Sequence, residues 1–261
     1  MSRLKRTLAQ IWPRAAIIAV IVLLWWAVYA TGYWDRVLLP SPARVWRALW
    51  GNVTGPTGLL VAAERSILRL FLGLAAAMVI GTPIGLAMAA WKTAQRSVGS
   101  LMVGLQALPS IAWLPLATLW LGITEKAVFF VVVMGALPAV AIATAASVRL
   151  VPPTLTRAAR TLGARRWDLY GHVVLPAAVP GYLAGLQQAW ALAWRALMAA
   201  ELLVAGARGL GHFLARAGAL WQTPLMLATM VVIMLVGIGV DFLFSLVDRR
   251  VRARRGLVVP A

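Results

Sequence analysis

Residues 152–176 read PPTLTRAARTLGARRWDLYGHVVLP and join two long apolar stretches of the chain. The proline pair ends the preceding helix, because proline has no backbone N–H to donate, and it favours the start of a new short helix. Ala158, Ala159 and Gly163 then follow at helical spacing. We expect these three residues to form one small-residue surface, which would let the backbone of another protein approach closely.

The composition of the whole chain is that of an integral membrane protein. Of 261 residues, 62% are hydrophobic and 12% charged, whereas soluble domains carry about a quarter charged residues. The 25 Lys and Arg against 7 Asp and Glu give a net charge of +18, a surplus that is typical of nucleic-acid binders. A mean hydropathy of +0.86 excludes the soluble body that such a binder needs. Basic loops beside apolar spans explain both numbers, so we expect membrane lipids and no nucleic acid as partners.

Two classes of chemistry are excluded by the residues that the chain lacks. It has no cysteine, and its histidines are His172 and His212, which are too few and too far apart to build a metal centre. We therefore expect no metal site. None of the three lysines follows a glycine, so the chain has no phosphate-binding Gly-Lys-Ser/Thr pattern and no ATPase site of its own.

Apolar stretches of about 20 residues, long enough to cross a bilayer, recur along the chain. They predict an all-α integral membrane fold with six transmembrane helices, at about 15–31, 68–91, 98–122, 127–148, 173–206 and 224–247. Prolines in the third and fourth stretches are expected to bend those helices, either toward a cavity or only as structural bends; they are Pro109, Pro115 and Pro138. Gly81 and Gly85 predict close helix packing.

The basic residues predict the orientation of these spans. With the N-terminus in the cytoplasm, 16 of the 25 Lys and Arg fall in cytoplasmic segments and 7 in outer segments, as the positive-inside rule requires. Six spans then return the C-terminus to the cytoplasm and make residues 152–172 a cytoplasmic loop. Arg69 and Arg195 are the two basic residues left inside predicted spans.

Two interpretations are open for the first stretch, and two for the segment after it. The first stretch is either a retained anchor, which Trp25 and Trp26 favour, or a cleavable signal sequence ending near Ala30. Ser41 is expected to cap a short helix that follows it. The apolar side of that helix suits either the outer membrane interface or packing against the bundle.

The 152–176 segment resembles the EAA loop, the cytoplasmic signature of the permease subunits of ABC importers. The Ala-Ala pair, three residues, Gly, nine residues, Val, one residue and Leu-Pro stand at the spacings of that signature. Arg157 stands where the family usually has glutamate, so its partner on the ATPase is expected to be acidic or neutral. The resemblance implies an ATPase-coupling surface made of Arg157, Ala158, Ala159, Gly163, Ala164, Leu175 and Pro176.

Further short motifs are similar to the nitrate, taurine and aliphatic sulfonate branch of this family. They stand at 39–42, 108–110, 112–116, 119–122, 193–194, 200–201 and 209–211. The resemblance implies a type I importer permease fold in the bacterial cytoplasmic (inner) membrane, working as a homodimer by alternating access. It also implies two copies of an ABC ATPase, which bind the ATP and Mg, and a periplasmic or lipid-anchored substrate-binding protein; this chain itself is expected to bind no cofactor.

Ionisable and aromatic residues inside the spans are the candidates for the substrate pathway. Two interpretations of Arg195 are open: it attracts a small anion such as a sulfonate, taurine or nitrate, or it pairs with Glu201 or another span and only stabilises the fold. Glu201 is expected to act in gating or helix positioning, and Arg69 and Asp241 are expected to be structural partners. Trp113 and Trp194 are expected to line the pathway or to pack at the interface.

The sequence leaves other functions and another cargo to consider. A membrane enzyme needs a cluster of acids, bases or metal ligands, which the 7 scattered carboxylates do not supply. A secondary carrier or channel would carry paired charges along several spans and would not need the docking loop. Within the importer family, the alternative cargo is a pyrimidine vitamin precursor or another flat heterocycle, because the third and fifth stretches are rich in aromatic residues.

Overall fold

The computed structural model describes residues 3–55, 58–204 and 208–254, and the regular structure within those ranges is helical. The helices are α1 Arg3–Ala30, α2 Pro42–Val53, α3 Leu59–Ala90, α4 Lys92–Ala107, α5 Leu114–Leu121, α6 Glu125–Arg149, α7 Pro153–Thr161, α8 Arg166–Asp168, α9 Leu175–Leu203, α10 Leu210–Ala219 and α11 Thr223–Arg254. A 3₁₀ turn, Ser110–Trp113, precedes α5, and a π-helical turn, Leu169–Val174, leads into α9. The all-α fold class is confirmed.

Four helices of the described residues are long and apolar enough to cross a membrane: Leu59–Ala90, Glu125–Arg149, Leu169–Leu203 and Thr223–Arg254. A bent pair of helices makes a fifth candidate, and Ala16–Ala30 is a shorter apolar helix. The predicted count of six is therefore not reached by this criterion. The predicted end of the fifth span, 205–206, lies outside the described residues.

The third predicted span is sharply bent, as its prolines led us to expect. Residues 98–122 belong to α4 and to the segment Ser110–Leu121, which meet at an angle of 98°. Pro109 is the cause, because a proline pushes the preceding residue out of the helical region, and Leu108 is extended with φ −69° and ψ 129°. Pro115 and Pro138, by contrast, leave their helices continuous; Pro115 stands in the first turn of α5, where proline is tolerated.

Two other predicted boundaries shift outward. The helix expected at 68–91 begins at Leu59, and the one expected to end at residue 247 continues to Arg254. The predicted span at 127–148 matches α6 closely. Helices extend past their apolar parts because charged residues are good helix formers, so hydropathy marks the membrane crossing rather than the end of the helix.

The helix after Ser41 forms as expected. Its N-cap geometry is present, since the Ser41 hydroxyl accepts a hydrogen bond from the Arg44 backbone N–H at 3.4 Å. Helix α2 packs against α1 and α11, and Trp46 and Trp50 remain exposed on it. Exposed tryptophans on a packed helix fit both interpretations of this segment, because α2 contacts the bundle and still presents an aromatic side.

Helix α6 is the centre of the molecule, with α3 on one side and α9 on the other. Glycines on both neighbours face it. A Cβ at Gly81 would lie 3.1 Å from Val140 Cβ, one at Gly85 would lie 2.5 Å from Thr144 Cβ, and one at Gly181 would lie 3.1 Å from Ser147 Cβ. The predicted close packing at Gly81 and Gly85 is confirmed, and it brings the backbones of the three helices together.

The helix bundle has two ends, which we call the near end and the far end. The near end holds residues 152–172 with the C-terminal ends of α3 and α6. The far end holds the start of α3, the start of α6 and helix α10.

A glycine at the α3–α6 contact provides a test of this packing. We expect Gly85→Ala to destabilise the protein by about 1–3 kcal/mol, because the new methyl group would collide with the Ala141 carbonyl and force α3 away from α6. Thermal unfolding in detergent measures the change. Gly104→Ala on α4 is the matched control, since no atom lies within 4 Å of its Cβ position. Equal melting temperatures for the two variants would contradict the packing argument.

Candidate functional site

Helix α7 ends at Gly163 through a Schellman motif. Gly163 has φ +89°, the left-handed conformation that glycine adopts without strain. Its N–H donates to the Arg160 carbonyl at 3.0 Å, and the Ala164 N–H donates to the Ala159 carbonyl at 3.0 Å. Gly163 therefore lies just past the helix. This corrects the prediction that Gly163 shares a helical surface with Ala158 and Ala159. The sequence signal was present, since a glycine just after a helix is a common stop.

The surface of the 152–176 segment is open. Arg157, Ala158 and Gly163 are exposed, and Ala159 and Ala164 are half-buried. Two large apolar side chains that were not predicted as site residues project beside them: Leu162 is 88% exposed and Trp167 is 87% exposed. A surface of small residues flanked by exposed leucine and tryptophan is typical of a contact with another protein.

A small apolar cluster fixes this segment to the transmembrane helices. Its buried members, from the end of α6, the π-helical turn and the first turn of α9, are Val151, Leu169, Val174 and Ala178. Ala159 of α7 packs on this cluster, and Leu175 and Pro176 form the start of α9 beside it. The contact continues to α3, because the Arg149 guanidinium donates to the Met88 carbonyl at 2.7 Å. The cluster therefore joins α7 to α6 and α9.

A buried carboxylate forms a second centre, at the far end. Glu201 of α9 has no exposed surface, and it accepts hydrogen bonds from three groups. The Ser66 hydroxyl donates at 2.8 Å, the Arg69 guanidinium at 2.7 Å and the Gly211 backbone N–H at 3.0 Å. Arg69 also pairs with Glu125 at 2.7 Å, which links the start of α6 to the same group. We call Ser66, Arg69, Glu125, Glu201 and Gly211 the Glu201 cluster.

Glu201 leaves no space for side chains at Gly209 and Gly211, at the start of α10. A Cβ at Gly209 would collide with the Glu201 carboxylate oxygens, and one at Gly211 would lie 2.7 Å from Glu201 Cβ. The Leu210 N–H donates to the Ser66 hydroxyl at 2.9 Å. The Gly211 N–H at the start of α10 thus points at a negative charge, which the helix dipole also favours. The Gly-Leu-Gly sequence is explained by this contact.

The predicted partners of Glu201 and Arg195 are corrected by this arrangement. Glu201 pairs with Arg69, as a structural role for Arg69 predicts, and not with Arg195. Its full burial fits the expected role in helix positioning. Ser66 was missed by sequence reasoning, because a serine inside an apolar stretch has no pattern that distinguishes it.

Arg195 lies on the exposed side of α9, between two open grooves. The larger, of about 620 Å³, lies between α9 and α11 and includes Trp190, Trp194 and Asp241. The smaller, of about 330 Å³, lies against the bend at 106–111. Within the described ranges Arg195 has no ion pair or hydrogen bond, whereas Asp241 accepts a hydrogen bond from Gln187 at 2.8 Å.

The aromatic candidates divide between the groove and the core. Trp194 is largely buried but lines the larger groove, and Trp190 stacks on Phe244 with ring centroids 6.1 Å apart. Trp113 lies apart from Arg195: it is half-buried and packs edge-on against Phe130 at 6.3 Å. Among the described residues, no group of three His, Asp or Glu side chains is arranged to hold a metal ion.

Comparison with known proteins identifies the family to which this geometry belongs. The model of the binding-protein-dependent transport system inner membrane component family matches residues 81–253. The chain belongs to this family. Its helices are similar to those of the inward-facing methionine ABC transporter MetNI, with a TM-score of 0.64 at 21% identity, over 81% of this chain and 99% of that one. An amino acid ABC transporter gives a TM-score of 0.59 at 18% identity, over 75% and 93%. The permease therefore has the type I ABC importer fold.

Three relatives show which permeases this chain is similar to. The taurine transport system permease protein TauC of Escherichia coli (strain K12) is 31% identical over 92% of this chain and 89% of its own length. A putative ABC transporter permease protein of Methanocaldococcus jannaschii is 32% identical over 83% and 82%. The nitrate import permease protein NrtB of Synechocystis is 28% identical over 95% and 90%. The family resemblance that the loop and motifs predicted is confirmed, and the chain is an inner-membrane permease.

The Glu201 cluster provides a test of what stabilises the far end of the permease. We expect Glu201→Gln to cost about 3–5 kcal/mol, because it breaks a buried ion pair and leaves Arg69 with only the exposed Glu125 as a counter-charge. Glu125→Gln should cost at most about 1 kcal/mol, since the Glu125 side chain is 69% exposed. Thermal unfolding of the two variants in the same detergent measures the difference. Similar losses for both would contradict a buried ion pair as the stabilising contact.

Proposed function

We propose that this permease translocates a small anion, such as an aliphatic sulfonate, taurine or nitrate, in an ATP-driven importer. The observation that carries the proposal is Arg195, an exposed cation on a membrane helix with no ion pair in the described chain. A cation inside the membrane costs free energy, so cations in this setting usually serve a function. A bound anion would offset that cost. Similar permeases that are named for transport of taurine, nitrate and aliphatic sulfonates give independent support.

The energy for transport is proposed to come from an ABC ATPase that docks on residues 152–176, in two copies for a permease dimer. The exposed surface around Ala158 and Gly163, with Leu162 and Trp167 projecting beside it, supports this role. ATP and Mg bind to that partner, because this chain lacks the glycine-lysine pattern that cradles phosphates. Docking here requires the near end to lie in the cytoplasm, which the distribution of basic residues favours.

The far end of the permease then faces the periplasm, where a substrate-binding protein delivers the cargo. A second copy of the permease is proposed to pack so that the exposed sides of α9 enclose a shared path. Arg195 lies on that side, with Trp194 beside it in the larger groove. Both termini lie in the cytoplasm in this arrangement.

Transport is proposed to follow from movement of α9 as part of a larger body. Closure of the two ATPases displaces α7, and the apolar cluster under α7 passes the displacement to α6 and α9. The Glu201 cluster ties α9 to α3 and α10 at the far end. The body therefore tilts as a unit and exposes the Arg195 side alternately to the two faces of the membrane.

A flat heterocycle is the second candidate cargo. The groove beside Arg195 contains two tryptophans and the thioether side chains of Met198, Met230 and Met234. Aromatic and thioether surfaces bind planar rings well. Membership of the importer family argues against a channel or secondary carrier, since those proteins do not need a binding protein.

The anion proposal is tested by Arg195→Gln. We expect ATP-driven uptake of taurine into proteoliposomes that contain the ATPase and the binding protein to fall about tenfold or more, because a charge-assisted hydrogen bond to the cargo is lost. Arg47→Gln, an exposed arginine on α2, is the matched control and should transport normally. Uptake that persists in Arg195→Gln, with the ATPase still bound, would overturn the anion site. Uptake that persists without the ATPase would overturn the importer mechanism.

Docking is tested by two substitutions of similar size at Gly163. Valine is strained at φ +89°, whereas asparagine tolerates this conformation. We expect Gly163→Val to reduce both co-purification of the ATPase and uptake, and Gly163→Asn to behave nearly as the wild type. Normal docking in the valine variant would contradict the role of this helix end. Equal loss in both variants would show instead that the partner needs the space beside Gly163.

A further inference from the structure

A second cationic site lies at the far end of the permease, away from Arg195. It is a pocket of about 360 Å³ between the first turns of α3 and helix α10. Its polar lining consists of Arg65, Arg208, His212 and Arg216, and its apolar lining includes Val61 and Phe213. Neither the Glu201 cluster nor the proposed pathway uses these four polar side chains.

The positive charge in this pocket is not neutralised by the described part of the protein. No carboxylate lines the pocket, and none of its three arginines is in an ion pair or hydrogen bond within the described ranges. Glu64 neighbours Arg65 in sequence, but consecutive residues of a helix do not face each other, and Glu64 is exposed outside the lining. Three guanidinium groups held together repel one another, and a bound anion would relieve that repulsion.

The nearest buried carboxylate does not serve these arginines. Glu201 lies behind Gly209, which forms part of the pocket wall. Its oxygens are already held by Ser66, Arg69 and the Gly211 N–H. The pocket and the Glu201 cluster thus share a wall, but Glu201 does not neutralise the arginines of the pocket. The N–H donors of those arginines stay free to bind a ligand.

We propose that this pocket binds the sulfonate or carboxylate group of a small organic anion before it reaches Arg195. The guanidinium groups match an oxyanion by charge-assisted, bidentate hydrogen bonds. Val61, Ala62 and Phe213 supply an apolar surface for a short carbon chain, which an inorganic ion would leave unused. This inference rests on the proposed function for the direction of transport, because the far end must be the entry side. The phosphate of an anionic lipid has the same chemistry and is the competing source of the charge.

The test measures binding of ethanesulfonate to the full-length permease in phosphatidylcholine nanodiscs by calorimetry. All proteins carry Arg195→Gln, so that the far-end pocket alone is measured. We expect Arg65→Gln combined with Arg216→Gln to raise the Kd about tenfold or more, since two charge-assisted contacts are lost. Arg36→Gln, at an exposed arginine outside the pocket, should leave the Kd within about twofold. An equal Kd for the double variant and this control, or no binding at all, would overturn the proposal.

A second arm distinguishes a free anion from a lipid. The same titrations are repeated in nanodiscs that contain phosphatidylglycerol. In each lipid we take the ratio of the Kd of the double variant to the Kd of its parent, and we compare the two ratios. We expect the ratio to be unchanged, because the membrane surface charge affects both proteins alike. A ratio that falls to one would show that lipid phosphate fills the pocket and would overturn binding of a free anion. Neither arm uses ATP or uptake, so these outcomes are independent of the tests of the proposed function.

Discussion

Glu201 is a carboxylate with no contact with solvent, and groups from two other helices donate hydrogen bonds to it. Ser66 and Arg69 belong to α3, and the Gly211 N–H belongs to the first turn of α10. A buried charge is tolerated only when such partners are complete, so α3, α9 and α10 can adopt few other relative positions. The glycines at 209 and 211 follow from the same constraint, because a Cβ at Gly209 would collide with the carboxylate and one at Gly211 would lie 2.7 Å from Glu201 Cβ.

A series of contacts connects the two ends of the permease. Along the membrane, glycines of α3 and α9 hold both helices against α6, and at the near end the apolar cluster holds α7 against α6 and α9. The three contacts have different physics, an ion pair, backbone packing and hydrophobic burial, and α9 takes part in all of them. These contacts support the proposal that a movement of α7 reaches the Arg195 side of α9.

Sequence reasoning predicted the parts of this account that depend on local chemistry. The apolar stretches, the glycine pair at 81 and 85 and the spacing of the loop signature each follow from short patterns, and they gave the fold class and the family. A bend was expected at Pro109, but its size, 98°, was not, because proline bends some helices sharply and leaves others, such as α6 at Pro138, continuous. The Glu201–Ser66 contact joins residues 135 positions apart, and no local pattern records such a pairing.

The central claim is that α3, α6, α7 and α9 move as one body when the ATPase acts. Because the chain has no cysteine, spin labels can be placed at Thr154→Cys and Glu64→Cys, two exposed positions near opposite ends of that body. The direct measurement is the distance between these labels within one subunit, by pulsed electron spin resonance, in assembled transporters diluted with unlabelled permease. The account predicts the same distance distribution without nucleotide and with ATP trapped. A nucleotide-dependent shift between the two labels would contradict it, since α7 would then move independently of α3.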